Sequence, residues 1–263
     1  MTTIPHPHAS PSTQQQQQPY PQLILFGDSI TQGAHSTLIP RLSELYLRRA
    51  DIINRGFSGY NTIQAIPLLP LLFPPSGPSH PRNPSQPRVA LLTVFFGAND
   101  AVLPGNAQHV SLSQYATLLH RIVTDPAIQQ HDTKVLLLTP PPVDEHQSAL
   151  PLQRTAANTK LYADACAAVA HDLRLPLVDV WSTFMRQAGW DPSDSGPLVG
   201  SREAEPSTVL RELLSDGLHL TEKGYAAVFE ELWRVVREEV PEMLPERLPM
   251  VVPEWKEVMG VED

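Results

Sequence analysis

The chain has 263 residues, enough to bury a full hydrophobic core as one large domain or two small ones. Its formal net charge is −9 and its 19 basic residues are scattered rather than gathered into a stripe, so the electrostatic footprint of a nucleic-acid binder is missing. No apolar run approaches the roughly 18–20 residues that span a bilayer, and the first residues lack the basic start and apolar centre of a secretory signal. The lone cysteine, Cys166, cannot close an intramolecular disulfide and agrees with a reducing compartment, so a cytoplasmic protein without a membrane span is expected.

Residues 1–21 combine Pro, His and Ser with a five-glutamine run. That composition cannot bury enough apolar surface to offset the cost of ordering the chain, which predicts a disordered lead-in. From residue 22 the pattern changes: short apolar runs recur, each followed by a longer amphipathic segment. LILF (23–26) leads to a helical segment over 37–50, and DIIN (51–54) to one over 62–72. A proline-rich stretch, FPPSGPSHPRNPSQP (73–87), reads as an irregular surface loop. VALLTVFF (89–96) precedes a helix over 111–125, and KVLLLT (134–139) one over 152–173; Cys166 sits among alanines in the latter (ADACAAVA), where burial outweighs reactivity. LPLVDV (175–180) is the fifth apolar run. A segment over 189–213 follows, then a helix over 221–240 whose Thr221 suits an N-cap and whose Tyr225, Val228, Phe229, Leu232, Val235 and Val236 share one face. The tail over 241–263 alternates prolines with apolar residues and should lie along the domain surface.

Continuous rather than alternating apolarity suits strands covered on both faces. Five β-α alternations predict a single α/β domain over 22–240: a three-layer α/β/α sandwich around a central, mostly parallel five-stranded sheet with right-handed crossovers. In open sheets of this kind ligands sit beyond the carboxyl ends of the strands. Gly27-Asp28-Ser29 follows the first strand, NRGFSGYN (54–61) the second and GAND (97–100) the third, while SDGLHLTEKGY (215–225) leads into the last helix. Four polar patches far apart in sequence should converge on one rim.

Serine needs a neighbouring base to act as a nucleophile, usually a histidine oriented by a carboxylate. Of ten histidines, His219 has Asp216 three positions earlier, close enough for the carboxylate to meet the imidazole, and it lies at the rim. His6, His8 and His80 fall in loop or disordered sequence, and His120 and His171 on helices. Acyl transfer also needs donors aimed at the developing oxyanion, for which the Ser29 N–H, Gly59 and the Asn99 side chain qualify. Taken singly, the three donors read more readily as a helix-starting turn, a loop glycine and a capping Asn-Asp pair, and Asp216 with His219 reads equally well as a turn aspartate before a helix-leading histidine; taken jointly, the functional reading is favoured. Two other functions stay open at this point. Asp28, Asn99, Asp216 and His219 could be ligands of a metal-dependent phosphoesterase, or the chain could be a binding module with the proline-rich segments as partner sites. A dinucleotide site is disfavoured, because G-D-S-I-T-Q-G lacks the G-x-G-x-x-G spacing.

GDSIT (27–31), Gly59 within NRGFSGYNT, GAND (97–100) and DGLH (216–219) resemble, in order, the four motif blocks of the SGNH hydrolases, also called GDSL esterases/lipases, over roughly residues 22–236. The wording LFGDSIT, NRGFSGYNT and LSDGLHLTEKGY is similar to the isoamyl acetate-hydrolysing branch, which acts on short-chain esters. The resemblance implies a flavodoxin-like fold and a serine esterase with no metal or cofactor and a small-molecule ester as its partner. It makes Ser29 the nucleophile, His219 the base and acid, and Asp216 its orienting partner. The oxyanion hole would be Ser29 N–H, Gly59 N–H and Asn99 Nδ2. Transacylation and sugar-ester deacetylation lie within the same family. The G-x-S-x-G elbow of the α/β-hydrolases is absent. The segments 73–87 and 189–213 and the long tail depart from a compact member; Trp190 and Leu198 could line a substrate pocket or simply anchor their loop.

Overall fold

The structure, a computed structural model, describes residues 19–73, 86–149 and 153–260. Residues 1–18 of the lead-in expected over 1–21, and residues 74–85 of the proline-rich loop expected over 73–87, therefore lie outside the described residues. Five strands, β1 (Gln22–Gly27), β2 (Asp51–Gly56), β3 (Val89–Phe95), β4 (Lys134–Leu138) and β5 (Leu177–Val178), form one sheet in the order β2-β1-β3-β4-β5. Every pairing is parallel. The helices are α1 (Ser29–Gln32), α2 (Leu38–Leu45), α3 (Thr62–Ala65), α4 (Leu69–Leu72), α5 (Leu112–Val123), α6 (Pro126–Gln129), α7 (Ala156–Leu173), α8 (Val180–Gln187), α9 (Thr208–Leu213), α10 (Glu222–Glu239) and α11 (Trp255–Met259).

The apolar runs are continuous because both faces of the sheet are covered. Along β1, Leu23 and Leu25 join a core with α1, α2, α8, α9 and α10, whereas Ile24 and Phe26 join a second core with α3, α4, α5 and α7. The central strand β3 is buried at all seven positions. Helix α10 starts at the expected cap: the Thr221 hydroxyl accepts from Gly224 N–H, and all six residues of the expected apolar face are buried.

Several boundaries depart from the sequence pattern. The segment over 62–72 is two short helices joined by a 3₁₀ turn, because Pro67 and Pro70 have no N–H to continue a helix ladder. The helix expected over 37–50 stops at Leu45, beyond which Arg48 takes a left-handed φ of 62° and turns the chain into β2. The fifth strand has two residues rather than six: the Asp179 carboxylate accepts from Ser182 N–H and caps α8, so Val180 opens a helix. The tail follows the surface near α2, where Tyr46 donates to Met243 O (2.7 Å), Val251 N–H donates to Arg48 O (2.8 Å) and Arg49 donates to Leu248 O.

Candidate active site

Three of the four patches are brought level by strand register. Gly27 of β1 pairs with Gly56 of β2 and with Phe95 of β3, so the chain leaves all three strands at one edge. The chain also switches direction here, since β1 connects to β2 on one side and its other neighbour is β3. Cross-links hold the exits together: Phe57 N–H donates to Gly27 O (2.9 Å), Ser58 N–H to Gln32 Oε1 (2.9 Å) and Asn54 Nδ2 to Thr31 O (3.0 Å). On the α1 side, Asp28 caps the helix by accepting from Ile30 N–H (2.9 Å) and leaves Ser29 half-buried at its first position.

The fourth patch is a closed loop. Leu214 and Leu220 form an antiparallel bridge, and Ser215 donates to His219 O from both N–H (2.8 Å) and Oγ (3.1 Å). Within it, Asp216 Oδ1 accepts from Leu218 N–H (3.0 Å) and His219 N–H (2.8 Å), while Oδ2 meets His219 Nδ1 at 2.7 Å. His219 Nε2 lies 3.0 Å from Ser29 Oγ. A carboxylate only accepts, so the proton sits on Nδ1 and the Nε2 lone pair faces the serine hydroxyl. Partial burial pushes the Asp216 carboxyl up, but the hydrogen bonds from the His219 ring and from the two N–H groups outweigh it and hold Asp216 below the usual carboxylate range. The side chains remain partly open to solvent, at 43% for His219 and 56% for Asp216.

Gly217 fixes where this loop rests. Its φ is +83°, and a Cβ there would stand 2.4 Å from Asp144 O, so only glycine lets the two backbones meet. Asp144 N–H donates to Gly217 O (2.9 Å). Neighbouring Glu145 accepts from Ala156 N–H (2.8 Å) at the start of α7 and from Arg202 N–H (3.1 Å), and Arg202 in turn donates to Glu145 O and Ser148 O (3.1 Å each). The loop after β4 thus carries the 216–219 loop on one side and the 200–204 segment on the other.

Gly59 (φ +81°) and Asn99 stand on the β2 and β3 exits. Gln108 Nε2 donates to Gly59 O (2.8 Å), and Asp100 accepts from Thr62 N–H (3.0 Å) and its hydroxyl, tying the two loops together. Asn99 is buried; its Nδ2 donates to Tyr60 O (2.8 Å) and its Oδ1 accepts from Arg154 Nη2 (2.9 Å). Asp28 and Asp100 are buried carboxyls. Burial pushes Asp28 up to about 7, with Asp100 reinforcing the shift against the Ile30 N–H bond, and burial pushes Asp100 up to about 6 against its Thr62 bonds.

The chain matches the family model described as "GDSL-like Lipase/Acylhydrolase family" over residues 25–227. The chain belongs to the GDSL-like lipase/acylhydrolase family. This GDSL hydrolase is 35% identical over 233 residues to a GDSL esterase/lipase of Arabidopsis thaliana, covering 83% of this chain and 86% of the relative. It is 33% identical over 251 residues to the isoamyl acetate-hydrolyzing esterase 1 homolog of Bos taurus, covering 91% and 88% of the two chains. Among solved structures, a lipase/acylhydrolase from Enterococcus faecalis superposes with a TM-score of 0.58 at 22% identity, covering 88% of this chain and 98% of that one. An acetylxylan esterase from Geobacillus stearothermophilus does so with a TM-score of 0.58 at 16% identity, covering 83% and 95%. These two share the fold. The GDSL hydrolase is accordingly a carboxylic ester hydrolase of the SGNH type.

The GDSL hydrolase brings Ser29, Asp216 and His219 into hydrogen-bond contact and carries Gly59 and Asn99 on adjoining strand exits. Among the described residues, no three His, Cys, Asp or Glu side chains group in a way that could hold a metal ion, so the alternative ligand set of Asp28, Asn99, Asp216 and His219 does not assemble. Trp190 meets Trp181 edge to face at 4.9 Å, and Leu198 joins it against Trp181, Met185 and Ala163, which anchors the segment to α7 and α8. Also among the described residues, no helix is long and apolar enough to cross a membrane. Sequence reasoning missed Arg154, Glu145 and Asp144. Arg154 precedes the α7 cap Thr155 and reads locally as an ordinary surface cation; no local motif marks it.

Proposed function

We propose that this enzyme hydrolyses short-chain, acetate-type carboxylic esters through an acyl-enzyme on Ser29. What carries the reading is the relay from Ser29 Oγ to His219 Nε2 (3.0 Å) and from His219 Nδ1 to Asp216 (2.7 Å). Ser29 Oγ attacks the carbonyl carbon as its proton passes to Nε2. The tetrahedral oxyanion is held by Ser29 N–H, Gly59 N–H and Asn99 Nδ2, each donor of this kind being worth about 2.7–4 kcal/mol. Collapse breaks the ester C–O bond, and the leaving alkoxide takes the proton from His219. Water then attacks the acyl-serine with His219 as base, releasing the carboxylic acid and restoring the serine. Asp216 keeps the imidazole in the tautomer that both steps need. The acetate preference is supported by the relatives named isoamyl acetate-hydrolyzing esterase 1 homolog, at 33% identity in Bos taurus and 32% in Homo sapiens.

The test is to map a fluorophosphonate adduct by mass spectrometry and to assay p-nitrophenyl esters from acetate to palmitate, with and without EDTA. Labelling at Ser29, its loss in Ser29→Ala, highest kcat/KM on acetate and indifference to EDTA are expected. An adduct elsewhere, or undiminished turnover by Ser29→Ala, sinks the mechanism; a peak at long chains sinks the substrate assignment.

A further inference from the structure

We propose that Arg154 is the positioning residue of the oxyanion hole: it locks the Asn99 carboxamide so that its one uncommitted N–H is available to the carbonyl oxygen under attack. The inference rests on the reading above, in which Asn99 is an oxyanion donor. Arg154 is half-buried in front of α7; its Nε donates to Ala98 O (2.6 Å) and its Nη2 to Asn99 Oδ1 (2.9 Å). The guanidinium grips the backbone and the side chain of consecutive residues at once, a fork geometry that lysine lacks.

The two partners of Asn99 leave its amide no choice. A guanidinium can only donate, so it must face Oδ1; the Tyr60 carbonyl can only accept, so it must face Nδ2, at 2.8 Å. A flipped amide would set N–H against N–H and oxygen against oxygen in a buried place, where each unpaired polar group is costly. With Oδ1 taken and one amide hydrogen given to Tyr60, one hydrogen remains. The positive charge beside Oδ1 also polarises the amide and makes that hydrogen a stronger donor to an anion, an effect the low local dielectric enlarges.

A merely structural role has its own marker. Asn158, in the first turn of α7, ties the same junction by donating from Nδ2 to Ala101 O (2.6 Å) rather than to Asn99. If Arg154 only fastened α7 to the β3 exit, the two residues would be equivalent.

The experiment measures kcat and KM on p-nitrophenyl acetate for Arg154→Met, Arg154→Lys, Asn158→Ala, Asn99→Ala and the double variant Arg154→Met/Asn99→Ala, with thermal melts for each. Arg154→Met is expected to lower kcat about 10–100-fold, below the ~10²–10³ for outright loss of a donor, with KM changed less than about threefold. Arg154→Lys should recover part of the loss. Asn158→Ala should keep kcat within about threefold, and the double variant should fall no more than about threefold below Asn99→Ala, since an absent amide needs no positioning. The proposal is overturned if Arg154→Met keeps kcat, if the two losses multiply in the double variant, or if Asn158→Ala loses as much as Arg154→Met. Should Arg154→Met fail to fold, Arg154→Lys alone and paired with Asn99→Ala is judged by the same criteria. Fluorophosphonate labelling of Ser29 in the unaltered protein, together with a ~10²–10³-fold loss of kcat in Asn99→Ala, separates the two ideas: with both found, these failures fall on Arg154 alone, whereas an Asn99→Ala protein that keeps kcat overturns the oxyanion role on which the inference rests.

Discussion

Replacing Gly217 by alanine adds one methyl group between the acid and base of the proposed triad. The residue has φ +83°, where an L side chain costs about 1–2 kcal/mol. The new Cβ would lie 2.4 Å from Asp144 O, with Gln147 Cβ at 3.1 Å and Ser148 Oγ at 3.2 Å, so the two backbones must part by about 1 Å to reach ordinary contact. Parting also stretches the 2.9 Å Asp144 N–H to Gly217 O bond, at a net cost of about 1 kcal/mol. Together these come to about 2–3 kcal/mol, or about 4–12 °C in melting temperature for a chain of this size. Because Gly217 lies between Asp216 and His219, the shift displaces the imidazole, and a misplacement near 1 Å lowers kcat by up to about 100-fold. Gly105 is the control: its φ is +92° but no atom lies within 4 Å of where an alanine methyl would stand, so Gly105→Ala should show backbone strain with kcat kept within about threefold. Melting curves and p-nitrophenyl acetate kinetics on both variants decide the matter. A Gly217→Ala protein with the melting temperature and kcat of Gly105→Ala would refute the claim that close backbone contact sets the position of His219.

Asp216→Asn keeps the shape of the loop but cannot hold the imidazole in one tautomer; kcat on p-nitrophenyl acetate should fall by about 10³–10⁴, and a loss under tenfold would mean another group orients His219. Burial raises Asp28 to about 7 from the ordinary 3.8, so the folded state binds the proton more tightly than the unfolded one and stability should fall as pH rises from about 4 to 7, then level off. Asp28→Asn, which retains the Oδ1 acceptor for Ile30 N–H, should flatten that slope in thermal melts, leaving the smaller share due to Asp100; an unchanged slope would show that Asp28 is not its source. Arg202→Ala removes two hydrogen bonds to the loop after β4 and should speed amide exchange across 199–204 with a loss of about 1–2 kcal/mol; protection unchanged by mass spectrometry would count against the clamp.

What the sequence discloses about this fold tracks how local the cause is. GDSIT, GAND and DGLH are each made by a few neighbouring residues at a strand exit or a closed turn, so each is legible in a short window, while strand register and the Gly217–Asp144 contact bring them to one rim. The end of α2 is set differently: Tyr46 is held by a carbonyl 197 positions away, and no window around residue 46 contains that partner. Arg154 belongs with it, since its meaning comes from Asn99, 55 positions earlier. Other departures had local signals that the apolar pattern overrode. Pro67 and Pro70 forbid a continuous helix over 62–72, and Asp179 is a helix cap inside an apolar run that reads as one strand. In both, periodicity identifies the buried face while a single backbone-specific residue decides the element.

Cys166 carries a practical consequence. It is the sole cysteine, fully buried, with Sγ 3.5 Å from Leu138 O and its thiol pushed up to about 12 by burial. Thiol reagents at neutral pH meet almost no thiolate and no access there. A cysteine placed at exposed Ser193 would then be the one fast-reacting sulfur in the chain, so a fluorophore could be attached to the 189–213 segment without first removing the native residue and leaving a cavity in the core.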